Sequence, residues 1–155
     1  MAVEIERKFT VDMTRLRFGD SGTRVTQGYL SSAKGRTVRV RVEDDEATLT
    51  IKGPSEGNAR SEFEYTIPLA DAREMLDKLC EGPLIDKTRH RLRFAGRLWE
   101  IDVFHGDNEG LVVAEVEIES ADAVVELPDW VQGEVSHDRR YFNSNLAKVP
   151  FKSWS

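Results

Sequence analysis

Charged residues recur in this chain as pairs spaced two apart, each interleaved with apolar residues. Glu4 and Glu6 flank Ile5, and Lys8 follows at the same parity. Arg39 and Arg41 lie among Val38, Val40 and Val42. Glu62 and Glu64 flank Phe63, Lys87, Arg89 and Arg91 alternate along one stretch, and Glu115 and Glu117 flank Val116. Successive side chains of a strand point to opposite faces, so each set shares one face and the apolar residues take the other. The pattern confines most of the chain to short, two-faced strands.

Eight such segments can be read: 3–10, 24–31, 36–43, 46–52, 60–67, 84–95, 97–104 and 111–119. Gly53-Pro54-Ser55-Glu56-Gly57-Asn58 is a loop by composition and makes 46–52 and 60–67 a hairpin. Residues 70–81 carry Ala72, Met75, Leu76 and Leu79 at helical spacing, with Gly82-Pro83 as the stop. The C-terminal part is helical in tendency, over 121–133 and again over 137–147. Strands in hairpin-like succession imply an antiparallel sheet or a closed barrel with peripheral helices. No linker, repeat or low-complexity tract divides the chain, which predicts one domain over 1–155.

Each strand taken singly fits a solvated charged face over an apolar core. Taken together the strands say more, because sign is segregated: Glu4/Glu6, Glu62/Glu64 and Glu115/Glu117 are acidic, while Arg39/Arg41 and Lys87/Arg89/Arg91 are basic, with Lys8 and Lys52 as single cations. Ordinary surfaces intersperse the two signs. Facing into a barrel, these sets form a cavity with carboxylates on one side and cations on the other. Carboxylates suit Mg²⁺ or Mn²⁺, and Arg and Lys suit phosphate oxygens. The apolar faces then point outward and need the helices as cover.

The ordered set resembles the CYTH domain, or triphosphate tunnel metalloenzyme, superfamily. The likeness rests on Glu4-x-Glu6-x-Lys8 within Glu-Ile-Glu-Arg-Lys-Phe, then Arg39-x-Arg41, Lys52 closing Thr48-Leu49-Thr50-Ile51-Lys52, Glu62-x-Glu64, Lys87-x-Arg89, Asp102 and Glu115-x-Glu117, and it runs to about residue 147. It implies an α+β, mainly β fold: an eight-stranded antiparallel closed barrel forming a tunnel with a charged interior. It implies a metal-dependent hydrolase of inorganic tripolyphosphate, with Mg²⁺ or Mn²⁺ as cofactor. By position, Glu4, Glu6 and Lys8 are the catalytic candidates. Lys8, Arg39, Arg41, Lys52, Lys87, Arg89 and Arg91 are the phosphate-binding candidates. Glu4, Glu6, Glu62, Glu64, Asp102, Glu115 and Glu117 are the metal candidates. The chain carries no HD or CHAD extension and so resembles the short, stand-alone bacterial members.

The bulk properties agree. A net charge of −6 argues against general affinity for nucleic acid or an anionic membrane. No apolar run is long enough to span a bilayer, and the early charge leaves no signal-peptide core, which makes the cytoplasm the expected compartment. A monomer and a homodimer both remain open. The lone Cys80 forms no intrachain disulfide and reads as filler on the apolar side of the helix. His90, His105 and His137 are not spaced as a zinc site. There is no Gly-x-x-x-x-Gly-Lys-Ser/Thr loop and no His-Glu-x-x-His.

Several residues keep two readings. Arg91 reaches the tunnel or stays at its edge, whereas Arg93 is solvated. Tyr29 is a tunnel-mouth contact or ordinary packing. The run Ser136–Asn143 starts a helix capped by Ser136 or Asp138, and that helix either packs or closes a tunnel end with Arg139 or Arg140 near substrate. Trp99 and Trp130 pack, and Trp154 is a mobile tail residue or packs on a partner. Alternative functions on the same scaffold are a class IV adenylate cyclase, a thiamine triphosphatase and a non-catalytic polyphosphate or nucleotide sensor.

Overall fold

The apolar halves of the alternating segments need partners, and they find them by pairing into one sheet that closes on itself. The computed structural model describes residues 3–57 and 59–154. Met1 and Ala2, Asn58 of the expected loop and Ser155 of the tail lie outside the described residues. In chain order the elements are β1 (Val3–Val11), β2 (Thr23–Ala33), β3 (Arg36–Glu43), β4 (Glu46–Lys52), β5 (Ala59–Ile67), α1 (Leu69–Lys78), β6 (Glu81–Phe94), β7 (Arg97–Phe104), β8 (Val112–Glu117), β9 (Val131–Glu134) and α2 (Asn143–Lys148), with short 3₁₀ turns at Gly106–Asn108, Arg139–Tyr141 and Phe151–Ser153. The sheet order is β5-β4-β3-β2-β6-β7-β8-β1, and a β5–β1 pairing closes the eight strands into an antiparallel barrel.

The seam is short. β1 meets β5 only at Val3↔Ser61, Glu4↔Arg60 and Ile5↔Ala59. Farther along, the same edge of β1 pairs with β9, at Phe9↔Glu134 and Val11↔Val131. Its other edge runs along β8 from Glu6↔Glu117 to Thr10↔Val113. This offset is the stagger that barrel closure requires.

Three apolar clusters surround the charged interior. Phe9, Trp99, Ile101, Ala114 and Val116 cover the outer face of β1, β7 and β8, under Leu16 and Trp130. Val40, Ala47 and the helical Ala72 join α1 to β3 and β4. Tyr29, Ile85, Phe104, Val113 and Leu146 fill one barrel end, with Tyr141, Phe151 and Trp154 packed against them. Among the described residues no helix is long and apolar enough to cross a membrane.

The expected strands form, with one addition and three changes among the helices. The expected helix over 121–133 is absent. Pro128 lacks an N–H and clashes with a preceding helical turn, and the chain instead turns at Ser120–Ala123 and Pro128–Val131. The residues after that turn form β9, because β1 offers an edge that β5 does not reach. The helix over 137–147 is divided into the 3₁₀ turn Arg139–Tyr141 and α2, with Phe142 extended between them. Its start is capped by Asp138, whose carboxylate accepts from the Arg140 N–H.

The helix over 70–81 ends at Lys78, so Gly82 and Pro83 lie in β6 and are not its stop. Cys80 therefore follows the helix, half-buried, against Gly28. A Cβ at Gly28 would stand 2.7 Å from the Cys80 sulfur, which explains a glycine inside β2. Trp154 packs on Tyr141 and Phe151 of its own chain.

Candidate active site

The period-two parity is realised as a charged barrel lumen. A cavity of about 500 Å³ is lined by Glu4, Glu6, Arg39, Arg41, Glu43, Lys52, Glu62, Glu64, Arg89, Arg91, Glu100, Glu115 and Glu117, with Gly96, Arg97 and Leu98 of the β6–β7 hairpin at its edge. Strand order turns the segregation of sign into geometry. Apart from Glu43 on β3, carboxylates occupy the contiguous arc β7, β8, β1 and β5, and the lining cations occupy β4, β3 and β6, with β2 between β3 and β6.

The acidic arc crowds like charges. Burial raises the Glu4 carboxyl, a hydrogen bond shared with Glu62 adds to this, and Lys52 opposes it. Lys52 Nζ donates to Glu4 Oε1 at 2.9 Å and stands 3.6 Å from Glu62. Burial, then Glu115 and Glu4, push Glu6 up to about 8. Glu115 goes the other way: burial alone would raise it, but Lys8 and Arg89 hold it well below the usual carboxylate range. Glu117, at the outer edge, is raised by burial and by Glu4 and Glu100.

On the basic arc Arg41 has no counter-ion within 4.0 Å among the described residues, and Arg39 has one only at that distance. Arg41 donates its Nε to the buried Gln27 amide oxygen at 2.9 Å, and among the described residues no carboxylate stands within 4.0 Å of it. Burial, then Arg39 and Arg89, push its guanidinium down to about 10. Arg39 donates to Thr50 Oγ1 at 3.2 Å and has Glu64 at 4.0 Å, while its buried Nε has no hydrogen-bond partner among the described residues.

Beneath this surface lie paired ions. Asp102 is fully buried and takes Lys87 Nζ at 2.8 Å, Arg89 Nε at 2.7 Å and Arg89 Nη2 at 2.9 Å. Burial would raise its carboxyl, but Lys87 and Arg89 outweigh burial and hold it far below its ordinary range. Burial, with Arg89 and Arg41, brings the Lys87 ammonium down to about 7 against the pull of Asp102. Lys8 is also buried. Its Nζ is 3.4 Å from Glu115, donates to the Tyr141 carbonyl at 3.3 Å and lies over the Phe142 ring. The C-terminal segment thus closes one barrel end, but Arg139 and Arg140 do not line the cavity. Arg140 pairs with Asp138 on the surface and stacks on Trp154.

The doublets therefore converge, and the undecided residues take definite places. Tyr29 is buried beside Gln27, whose amide donates to its hydroxyl at 3.4 Å. Arg91 stands at the mouth, tied to Glu43 and Glu100. Arg93 is exposed, as expected. Sequence reasoning passed over Gln27, Glu43, Thr50 and Glu100. Glu43 and Glu100 share the parity of Arg41 and Asp102 and were legible on that ground. Gln27 and Thr50 are neutral, and a pattern of charge gives them no signal.

Among the described residues no three His, Cys, Asp or Glu side chains form a ready-made metal cage. The donor chemistry still suits a hard divalent ion. Mg²⁺ is ordinarily bound through one or two carboxylates together with water and substrate phosphates. Glu4, Glu6 and Glu115 present carboxyl oxygens of that kind opposite the arginines.

The CYTH domain family matches residues 2–150. The inorganic triphosphatase of Acetivibrio thermocellus is 47% identical over 154 residues, covering 99% of each chain. The inorganic triphosphatase of Nitrosomonas europaea is 38% identical over 151 residues, covering 93% of this chain and 96% of its own. A crystal structure of an inorganic triphosphatase superposes with a TM-score of 0.67 at 35% identity, covering 95% of each chain.

Proposed function

This chain belongs to the CYTH domain family, and from that footing we propose that it hydrolyses inorganic tripolyphosphate to pyrophosphate and phosphate with a divalent metal, Mg²⁺ or Mn²⁺. The observation that carries the reading is Arg41, a half-buried guanidinium with no carboxylate within 4.0 Å among the described residues, beside the buried Arg39, which has Glu64 only at 4.0 Å; both face an arc of carboxylates across one cavity. Buried charges are ordinarily paired within the protein. A lumen that lacks anions on one wall and cations on the other is completed by a polyanion together with a metal ion.

Arg39, Arg41, Lys52 and Arg89 hold the phosphate chain extended across the basic arc, where guanidinium groups engage phosphate oxygens in pairs. Glu4, Glu6, Glu115 and Glu117 would hold the divalent ion, which would supply charge stabilisation at the leaving phosphate. Asp102 has its oxygens engaged by Lys87 and Arg89, so we assign it to positioning Arg89 and not to the metal. Lys87 shares that task, and Lys8 steadies Glu115. Glu62 and Glu64 hold Lys52 and Arg39 in place. A water attacks the terminal phosphorus, its proton passes to a carboxylate of the Glu4–Glu6 pair, and the bridging P–O bond breaks to release pyrophosphate.

The lining carries no aromatic platform for adenine or thiazolium among the described residues, and Leu98 is its one large apolar side chain. That composition favours an unsubstituted polyphosphate over ATP or thiamine triphosphate. The acidic arc weighs against a pure anion sensor, which needs cations alone. The test is to incubate the purified protein with Mg²⁺ or Mn²⁺ and, separately, tripolyphosphate, ATP and thiamine triphosphate, and to identify the products. Phosphate and pyrophosphate from tripolyphosphate are expected. Cyclic AMP from ATP, or tight tripolyphosphate binding without turnover, would replace this reading with the cyclase or the sensor.

A further inference from the structure

We propose that the mouth of the cavity is a chain-length filter, in which Glu43, with Arg91 and Glu100, favours a three-phosphate chain over a longer polyphosphate. The inference rests on the triphosphatase reading above and names a determinant of its substrate range.

The charge changes with depth along two strands. On β3, Arg39 and Arg41 face the lumen, and the next residue on that face is Glu43. On β6, Arg89 is followed on the same face by Arg91, but Arg91 is already spoken for. Its Nη2 donates to Glu43 Oε1 at 2.6 Å, and its Nε donates to Glu100 Oε2 at 3.2 Å. Glu100 also accepts from Arg89 Nη1 at 3.4 Å. At the edge of the β6–β7 hairpin, Arg97 is held by Glu119 at 2.8 Å. Arg41, with no carboxylate within 4.0 Å among the described residues, and Arg39, with Glu64 only at 4.0 Å, therefore lie deeper than Arg91 and Arg97, which are neutralised at the mouth.

A chain of three phosphates is accommodated by the deep cations. A fourth phosphate would lie at the mouth and meet the Glu43 carboxylate. To gain Arg91 it must displace Glu43, and to avoid that it must sit beside a like charge. The Glu43 side chain is 26% exposed, so solvent weakens the repulsion without removing it. An uncommitted arginine in the same place would instead extend the anion site outward.

The test compares kcat/KM for tripolyphosphate and tetrapolyphosphate in the unaltered protein, in Glu43→Gln, and in Glu74→Gln. The last removes the same charge from the outer helix α1, where Glu74 pairs with Lys78 alone among the described residues. Glu43→Gln keeps the shape, removes the carboxylate a fourth phosphate would meet and leaves Arg91 paired with Glu100 alone among the described residues. It is expected to raise the tetrapolyphosphate-to-tripolyphosphate ratio roughly tenfold while tripolyphosphate itself changes less than about twofold. Glu74→Gln is expected to leave the ratio unchanged. A ratio that stays put in Glu43→Gln, or rises equally in Glu74→Gln, overturns the filter.

Should the unaltered protein release no phosphate from tripolyphosphate, the triphosphatase reading fails by itself. Calorimetric Kd values for the two polyphosphates on the same three metal-free proteins then decide the filter. Tighter tetrapolyphosphate binding in Glu43→Gln alone supports it, and an unchanged Kd ratio overturns it.

Discussion

Gln27 anchors Arg41: a fully buried neutral amide accepts the guanidinium Nε at 2.9 Å inside the barrel wall. The bond fixes the direction of the arginine without cancelling its charge. A carboxylate in the same place would fix it equally well and neutralise it.

Arg41→Ala should raise KM for tripolyphosphate by roughly 10- to 100-fold, the loss of one charge-assisted contact worth about 1.5–3 kcal/mol. Gln27→Glu should raise KM in the same direction, because Arg41 then has an internal counter-ion. Steady-state kinetics on folded protein checks both, and an unchanged KM in both variants would remove Arg41 from the binding wall.

Glu4→Gln and Glu6→Gln should each lower metal-dependent turnover roughly a hundredfold or more, as expected when a ligand of a charge-stabilising metal is lost. Neither should unfold the protein. Each removes one of several crowded carboxyls, so melting temperature without metal should hold or rise. Chelation of divalent metal should abolish turnover of the unaltered protein and restore on readdition.

Asp102→Asn should be the most damaging conservative change for stability. It takes from the buried Lys87 its counter-charge and leaves Arg89 with Glu100 at 3.4 Å, a loss of about 3–5 kcal/mol for breaking a buried ion pair. The contribution of Asp102 and Glu115 to the pH dependence has a definite sign, opposite to that of the raised Glu4 and Glu6. The folded pKa values of Asp102 and Glu115 lie below their ordinary 3.8 and 4.5. Between the folded and unfolded values the unfolded chain binds more protons, so this stability is present above about 4.5 and lost as pH falls below it. Urea unfolding across that range should show the loss, and Asp102→Asn should reduce its slope.

Leu146→Ala should destabilise by about 2–5 kcal/mol, since the side chain is fully buried in the apolar plug at the closed barrel end. Val124→Ala, at a side chain 92% exposed, should stay within about 0.5 kcal/mol. Equal effects at both positions in chemical denaturation would remove the plug from the stability of the fold.

The strands were legible because the signal that defines them is local. Val38-Arg39-Val40-Arg41-Val42 states its own two faces, and so do the segments around Glu62, Lys87 and Glu115. Local signals failed where a distant edge made the decision. Residues 131–134 become β9 because β1 outruns β5, and no property of those residues announces it. The C-terminal helix is divided because Phe142 and Tyr141 are drawn to Lys8.

By itself the sequence determined that the chain is a set of short strands with one charged face each, and which charges share a strand. Side-chain alternation is a property of the backbone and needs no neighbours. Only the tertiary structure decided the order of strands around the barrel, and hence that the acidic strands are contiguous and that β2 alone separates the basic β4 and β3 from the basic β6. It also decided which cations are left uncommitted: Arg89 is bound to Asp102 and Arg91 to Glu43, while Arg41 rests on a neutral Gln27. Those assignments depend on distances across the lumen, which closure fixes and which no single strand encodes.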